Sequence, residues 1–183
     1  MKNKLVIEQL GGGFMKRLLF FILFFVVASG FIPMTSYGAG EERFTFSDLT
    51  ATDKSTGLVW TRDANIAGRE MAWDNALRFI KQLNGKKYGG FSDWRLPTKD
   101  ELLTLVDYAK KQGYKKDFRK LLNKAGFTNV QADFYWSSST HVWSLPTHAS
   151  DTTSPSVVGM YSGFVAPGFK TFTYNVWPVR GGK

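Results

Sequence analysis

The chain of 183 residues contains no cysteine. That excludes disulfides, thiolate metal sites, a cysteine nucleophile and the lipid-bearing cysteine of a lipoprotein. Histidine is nearly absent, with only His141 and His148. No His-Glu-x-x-His pair, EF-hand loop or phosphate-cradling glycine loop occurs. There is no Gly-x-Ser-x-Gly elbow either. The two histidines have Asp133 and Asp151 nearby in sequence, a weak pattern for a metal, and no cofactor is predicted. A calcium site built from loop oxygens is compatible with the chain, but no motif supports it. Ser137, Ser138 and Ser139 precede His141. A triad is recognised by geometry, not by neighbours in sequence, so no catalytic residue is assigned.

Only one long apolar run is present, from Leu18 to Val27, behind Met15-Lys16-Arg17 and ahead of Ser36-Tyr37-Gly38-Ala39. This is the order of a secretory signal peptide, with Ser36 and Gly38 placed for a cut after Gly38. Extended to Ile32, the run still falls short of the roughly 20 residues of a spanning helix. An uncleaved anchor is the alternative, and it would be the protein's only membrane contact. Met15 is a candidate true start, because residues 1–14 add nothing that a signal needs. The expected organisation is a signal at 1–38, a lead-in at 39–49 and one domain at 50–183. The expected product is exported, whether periplasmic, cell-surface or secreted.

Charge is concentrated. Residues 1–38 hold four basic residues and one acid, which leaves 20 basic and 14 acidic residues, or +6, in the remainder. Residues 108–124 carry Lys110, Lys111, Lys115, Lys116, Arg119, Lys120 and Lys124 against Asp117 alone, again +6. The basic character is thus one local patch. A solvated helix face is the ordinary reading of such a run. The sharper reading is a footprint for a polyanion.

Helical periodicity marks residues 72–83, where Trp73, Ala76, Leu77, Ile80 and Leu83 share a face, and Asn84-Gly85 should end that helix. Thr98-Lys99-Asp100-Glu101 forms a capping box that opens a second helix over 99–110. Pro97 holds Leu96 extended ahead of it. A third helix is predicted over 115–124, with Phe118, Leu121, Leu122 and Ala125 inward. Strands are expected at 44–46, 58–61, 134–138 and 175–180. A hairpin pair is expected at 157–161 and 169–174, and a long polar loop over 140–156. The likeness of Val59-Trp60-Thr61-Arg62 to Val176-Trp177-Pro178-Val179-Arg180 suggests neighbouring strands of one sheet. With helices first and strands later, the class is α+β.

Five motifs occur in order: Thr56-Gly57-Leu58-Val59-Trp60; Trp73-Asp74-Asn75-Ala76; Asp93-Trp94-Arg95-Leu96-Pro97-Thr98 with Glu101; Tyr135-Trp136-Ser137-Ser138; and Pro178-Val179-Arg180-Gly181. Over about residues 50–182 the chain resembles the bacterial Lcl C-terminal domain family, named for the end domain of a collagen-like adhesin. The resemblance implies a C-type-lectin-like fold, with two or three helices beside a small, mostly antiparallel sheet and adjacent N- and C-terminal strands. The motif residues Trp60, Trp73, Asp93, Trp94, Arg95, Pro97, Thr98, Glu101, Trp136, Ser137 and Arg180 are read as structural, since the capping box accounts for Glu101, an arginine commonly tethers a turn by an ion pair, and the tryptophans sit at apolar positions. The formylglycine-generating enzyme branch of that fold is distantly similar, but it works through cysteines and copper. Glu-Pro-Asn, Gln-Pro-Asp and Trp-Asn-Asp, the calcium–sugar triplets of C-type lectins, are absent.

The expected function is therefore a non-catalytic, adhesion-like binding module of the cell envelope. Its expected ligands are an acidic polysaccharide, lipopolysaccharide or sulfated glycan, sooner than nucleic acid. The family's namesake binds sulfated glycosaminoglycans, which points the same way by resemblance only. Candidate ligand-facing residues are the seven cations of 108–124 and Trp143. An enzyme with a loop-built site and a structural protein meeting an envelope protein are the alternatives. N-terminal sequencing of the exported protein should begin at Ala39; an intact apolar run at the N-terminus would indicate the anchor instead.

Overall fold

A computed structural model describes residues 42–142 and 153–181. The expected signal, Trp143, His148 and Asp151 lie outside the described residues. Every element described belongs to the unit that begins at Glu42.

Three short strands open the domain: β1 (Phe44–Phe46), β2 (Thr50–Asp53) and β3 (Val59–Thr61). They pair antiparallel in sequence order, with Phe44 opposite Asp53 and Ala51 opposite Trp60. The last strand, β7 (Val179–Arg180), completes this sheet in the order β1-β2-β3-β7. Val59 faces Arg180 and Trp60 faces Val179, so the two segments that read alike are indeed partners. β1 lies inside the expected lead-in and is part of the fold. A buried ion pair ties this sheet to the helices: Arg43 grips Asp53 at 2.5 and 3.0 Å and donates to Thr104 O at 2.8 Å. Asp53 is fully buried, and its remaining capacity is taken by Ser55.

Helix α1 (Trp73–Gly85) buries Ala76, Ile80 and Leu83. Leu77, expected on the same face, is exposed. The helix ends at Gly85, within the Asn84-Gly85 pair expected to close it. The Asn84 amide is engaged elsewhere, bonding both the N–H and the carbonyl of Trp94. Helix α2 (Lys99–Lys111) begins at Thr98 as its box predicts and buries Leu102, Leu105, Val106 and Ala109.

The third helix, α3 (Arg119–Ala125), is shorter than its periodicity suggests. Asp117 has φ of 53°, which an α-helix cannot contain. Its N–H and that of Phe118 leave the helix pattern to bond Tyr161 O and Met160 O. The inward residues are as expected: Phe118, Leu121 and Leu122 are buried.

A second antiparallel sheet holds β4 (Phe134–Val142), β5 (Thr153–Gly159) and β6 (Val165–Pro167) in that order. The expected partner of the 157–161 segment was 169–174; the observed partner is β6, with Val157 opposite Ala166. Gly163, at φ of 72°, permits a tight turn closed by Gly159 N to Phe164 O at 2.9 Å. Residues 169–172 instead make a turn of their own, and Tyr174 bridges to Met71. β4 and β5 extend into both ends of the expected 140–156 loop.

Two apolar clusters fill the domain. Trp60, Trp177, Phe127 and Tyr135 centre the one beneath α2 and α3. Trp136, Trp94 and Met71 centre the one beneath α1. Ring pairs meet edge-on, as their quadrupoles favour: Trp60–Trp177 at 5.4 Å and Trp136–Tyr174 at 4.7 Å. The indoles of Trp136 and Trp177 donate to Met71 O and Thr61 O. Trp60 Nε1 finds no acceptor among the described residues.

Replacing each tryptophan with phenylalanine separates these cases. All three changes leave a void, but Trp136→Phe and Trp177→Phe also remove an indole hydrogen bond that Trp60 does not make. They should cost about 1 kcal/mol more than Trp60→Phe in urea unfolding. Equal losses at the three positions would contradict this difference.

Candidate functional site

Most residues singled out by motif converge on the N-terminus of α2. A helix leaves its first N–H groups without partners inside the helix. Thr98 Oγ1 accepts from Glu101 N at 3.1 Å, and Glu101 Oε2 accepts from Thr98 N at 2.8 Å. Lys99 N is taken by Ser139 Oγ from β4 at 3.0 Å. Ser138 donates both its backbone N–H and its hydroxyl to Pro97 O. Ser137, fully buried, accepts from Ser139 N and holds that bend. The Trp-Ser-Ser motif is thus the part of β4 that latches the start of α2.

Arg95 adds the charge. It meets Glu101 with two parallel bonds of 2.7 and 2.8 Å and donates to Gly181 O at 2.8 Å. This forked geometry suits guanidinium and carboxylate. Beside it, Arg180 chelates Asp93 at 2.6 and 3.1 Å and lies 3.8 Å over the Phe91 ring. Trp94 is buried, and its indole donates to Tyr88 O. Asp93, Arg95, Thr98, Glu101, Ser137 and Arg180 therefore hold segments to one another. Among the described residues, no three His, Asp or Glu side chains gather as ligands for a cation.

The basic segment lies at the other end of α2. Lys110, Lys111, Lys115, Lys116, Lys120 and Lys124 are exposed, and Arg119 is half-buried. Three of the seven are partly neutralised. Arg119 and Lys120 reach the Asp117 carboxylate at 2.7 and 3.3 Å, and Lys110 lies 3.7 Å from Asp107. Lys111, Lys115, Lys116 and Lys124 have no acid within ion-pair distance among the described residues. The surviving field is therefore carried by these four, a distinction that a charge count cannot make. Asp117 is itself buried and strapped to the turn after β5, so Arg119 and Lys120 serve structure as well as surface charge. The turn after β5 lies beside the segment that leads into α3, with Tyr161 O accepting from Asp117 N.

Among the described residues Asp53, Asp93, Glu101 and Asp117 are held below the ordinary carboxylate range; buried Asp53 and half-buried Glu101 belong to the scaffold. Burial raises the Glu101 carboxyl, but the Arg95 guanidinium and the Thr98 N–H more than offset it and leave it below its ordinary range. Asp53 follows the same pattern, raised by burial and lowered further by Arg43 and Ser55. A carboxylate depressed in the folded state contributes stability above its unfolded pKa of about 4 and loses it as pH falls through the folded value. Urea midpoints should therefore be level from pH 7 to about 5 and decline below that. Glu101→Gln should be less stable at pH 7 and decline less steeply. Parallel profiles for the two proteins would show that this pair does not set the acid limb.

The family model described as the Lcl C-terminal domain matches residues 49–180. No curated protein matches the chain.

Proposed function

Since the chain belongs to the Lcl C-terminal domain family, we propose that it is an exported, non-catalytic binding module for an acidic glycan or similar polyanion. In this reading the lectin-like scaffold presents its basic segment outward at the cell envelope. The observation that carries the reading is the set of exposed, unneutralised cations Lys111, Lys115, Lys116 and Lys124 on and between α2 and α3. The +6 charge of 108–124 is confined to a few turns of chain, while the rest of the mature chain is balanced. A field of that kind concentrates counter-charged polymers and weakens with salt over a Debye length of about 8 Å at physiological ionic strength.

The scaffold argues against chemistry in the motif core. Its hydroxyls and charges are already bonded to backbone or to each other. In this reading the family motifs build the platform and the basic segment meets the ligand.

Heparin–agarose retention tests the proposal. Lys111, Lys115, Lys116 and Lys124 should be changed together to Ala; Arg119 and Lys120 are left alone, because removing them would strand buried Asp117. At a few tenths of a kcal/mol per exposed cation, affinity should fall about tenfold and elution should move to lower salt. Unchanged elution would overturn the proposal. Retention of an envelope protein by both forms would favour a protein partner.

A further inference from the structure

The turn between β5 and β6, residues 160–164, contributes two aromatic side chains to the surface. Tyr161 is 46% and Phe164 is 62% exposed. Single exposed apolar residues are ordinary. Here two lie on one tight turn, and the turn is fastened to the basic segment. Phe118 N bonds Met160 O at 3.0 Å and Asp117 N bonds Tyr161 O at 2.6 Å. Gly163 packs so closely that a Cβ there would lie 2.7 Å from Val106 Cγ1 and 3.4 Å from the Phe118 ring. The same point is 3.8 Å from Lys110 Nζ. On the other side Arg119 and Lys120 converge on Asp117, whose N–H holds Tyr161. The backbone of the turn is thus pinned to the basic segment, with Lys110, Arg119 and Lys120 close to the points where it is held.

Cations alone suit any polyanion. Exposed rings beside them suit one that also has an apolar face. A pyranose ring carrying sulfate or carboxylate has both: axial C–H groups for an aromatic face and an anionic group for a lysine. A polyphosphate chain has only the charge. We propose that Tyr161 and Phe164 are the ring-stacking half of the binding site and select acidic polysaccharide over other polyanions. This rests on the reading of the basic segment as a polyanion footprint.

Calorimetric titration at two salt concentrations with a heparin hexasaccharide and with linear polyphosphate of similar charge tests this. Tyr161→Ala/Phe164→Ala should bind the hexasaccharide about tenfold more weakly with an unchanged salt dependence, and bind polyphosphate as the parent does. The four-lysine variant should weaken both ligands and flatten the salt dependence. Tyr161→Phe/Phe164→Tyr, which keeps both rings, should restore hexasaccharide binding. Thermal melting checks that the variants fold, and Phe164→Ala alone is read if the double variant melts early. If the rings do not matter for the hexasaccharide while the lysines do, this inference fails and the polyanion reading stands. An equal loss for both ligands also overturns it. So does ring-dependent binding confined to phosphatidylglycerol vesicles, which would indicate a membrane surface. If the parent binds neither hexasaccharide nor polyphosphate, both readings fall.

Discussion

The fold depends on satisfying the first turn of α2. Three segments far apart in the chain meet there: the 93–98 lead-in with its Thr98 cap, the Ser137–Ser139 bend of β4 and the end of β7. Arg95 joins them, since its guanidinium reaches Glu101 and Gly181 O at once. The backbone of the same residue bonds Val179 in both directions. No disulfide is available to hold such a junction. Its integrity rests on charge-assisted hydrogen bonds and on the tryptophan clusters to either side. The second ion pair, Asp93–Arg180, repeats the connection one step toward the surface.

This arrangement divides the molecule by role. The motif residues are inward or paired, and those at the α2 terminus bond to backbone groups or to each other. The basic segment begins where α2 ends and is placed by what lies beneath it: Val106, Phe118 and Leu122 in the core, and the backbone of residues 160–161 alongside. The proposed binding surface is therefore rigid at its base and charged at its rim. Exposed lysines can vary there without disturbing the core. Asp117 links the two roles, because its backbone belongs to the strap and its carboxylate to the surface cations.

Much of the scaffold was legible. The capping box at Thr98 and Glu101, the amphipathic stretches of α1 and α2, and the β3–β7 likeness all appear where expected. The errors share a cause. Residues 115–118 had helical spacing, yet Asp117 turns left-handed to meet Tyr161. The strand partner of β5 was sought at 169–174, and a short glycine turn brought 165–167 there first. In each case a bond to a distant segment outweighed a local preference. At the candidate site the seven cations were visible in sequence; which of them keep their charge unpaired was not.

The sequence by itself determined the features that rest on neighbours a few residues apart: the start of α2, the inward faces of the helices, the absence of cross-links and the local excess of positive charge. Hydrogen bonds and periodicities of that range are encoded within one turn of chain. Only the tertiary structure decided that Arg43 neutralises Asp53, that Ser138 and Ser139 close the α2 terminus, and that the turn carrying Tyr161 and Phe164 is bonded to the basic segment. Those placements require elements distant in sequence to pack first. Their partners are chosen by which buried donor or acceptor would otherwise go unpaired.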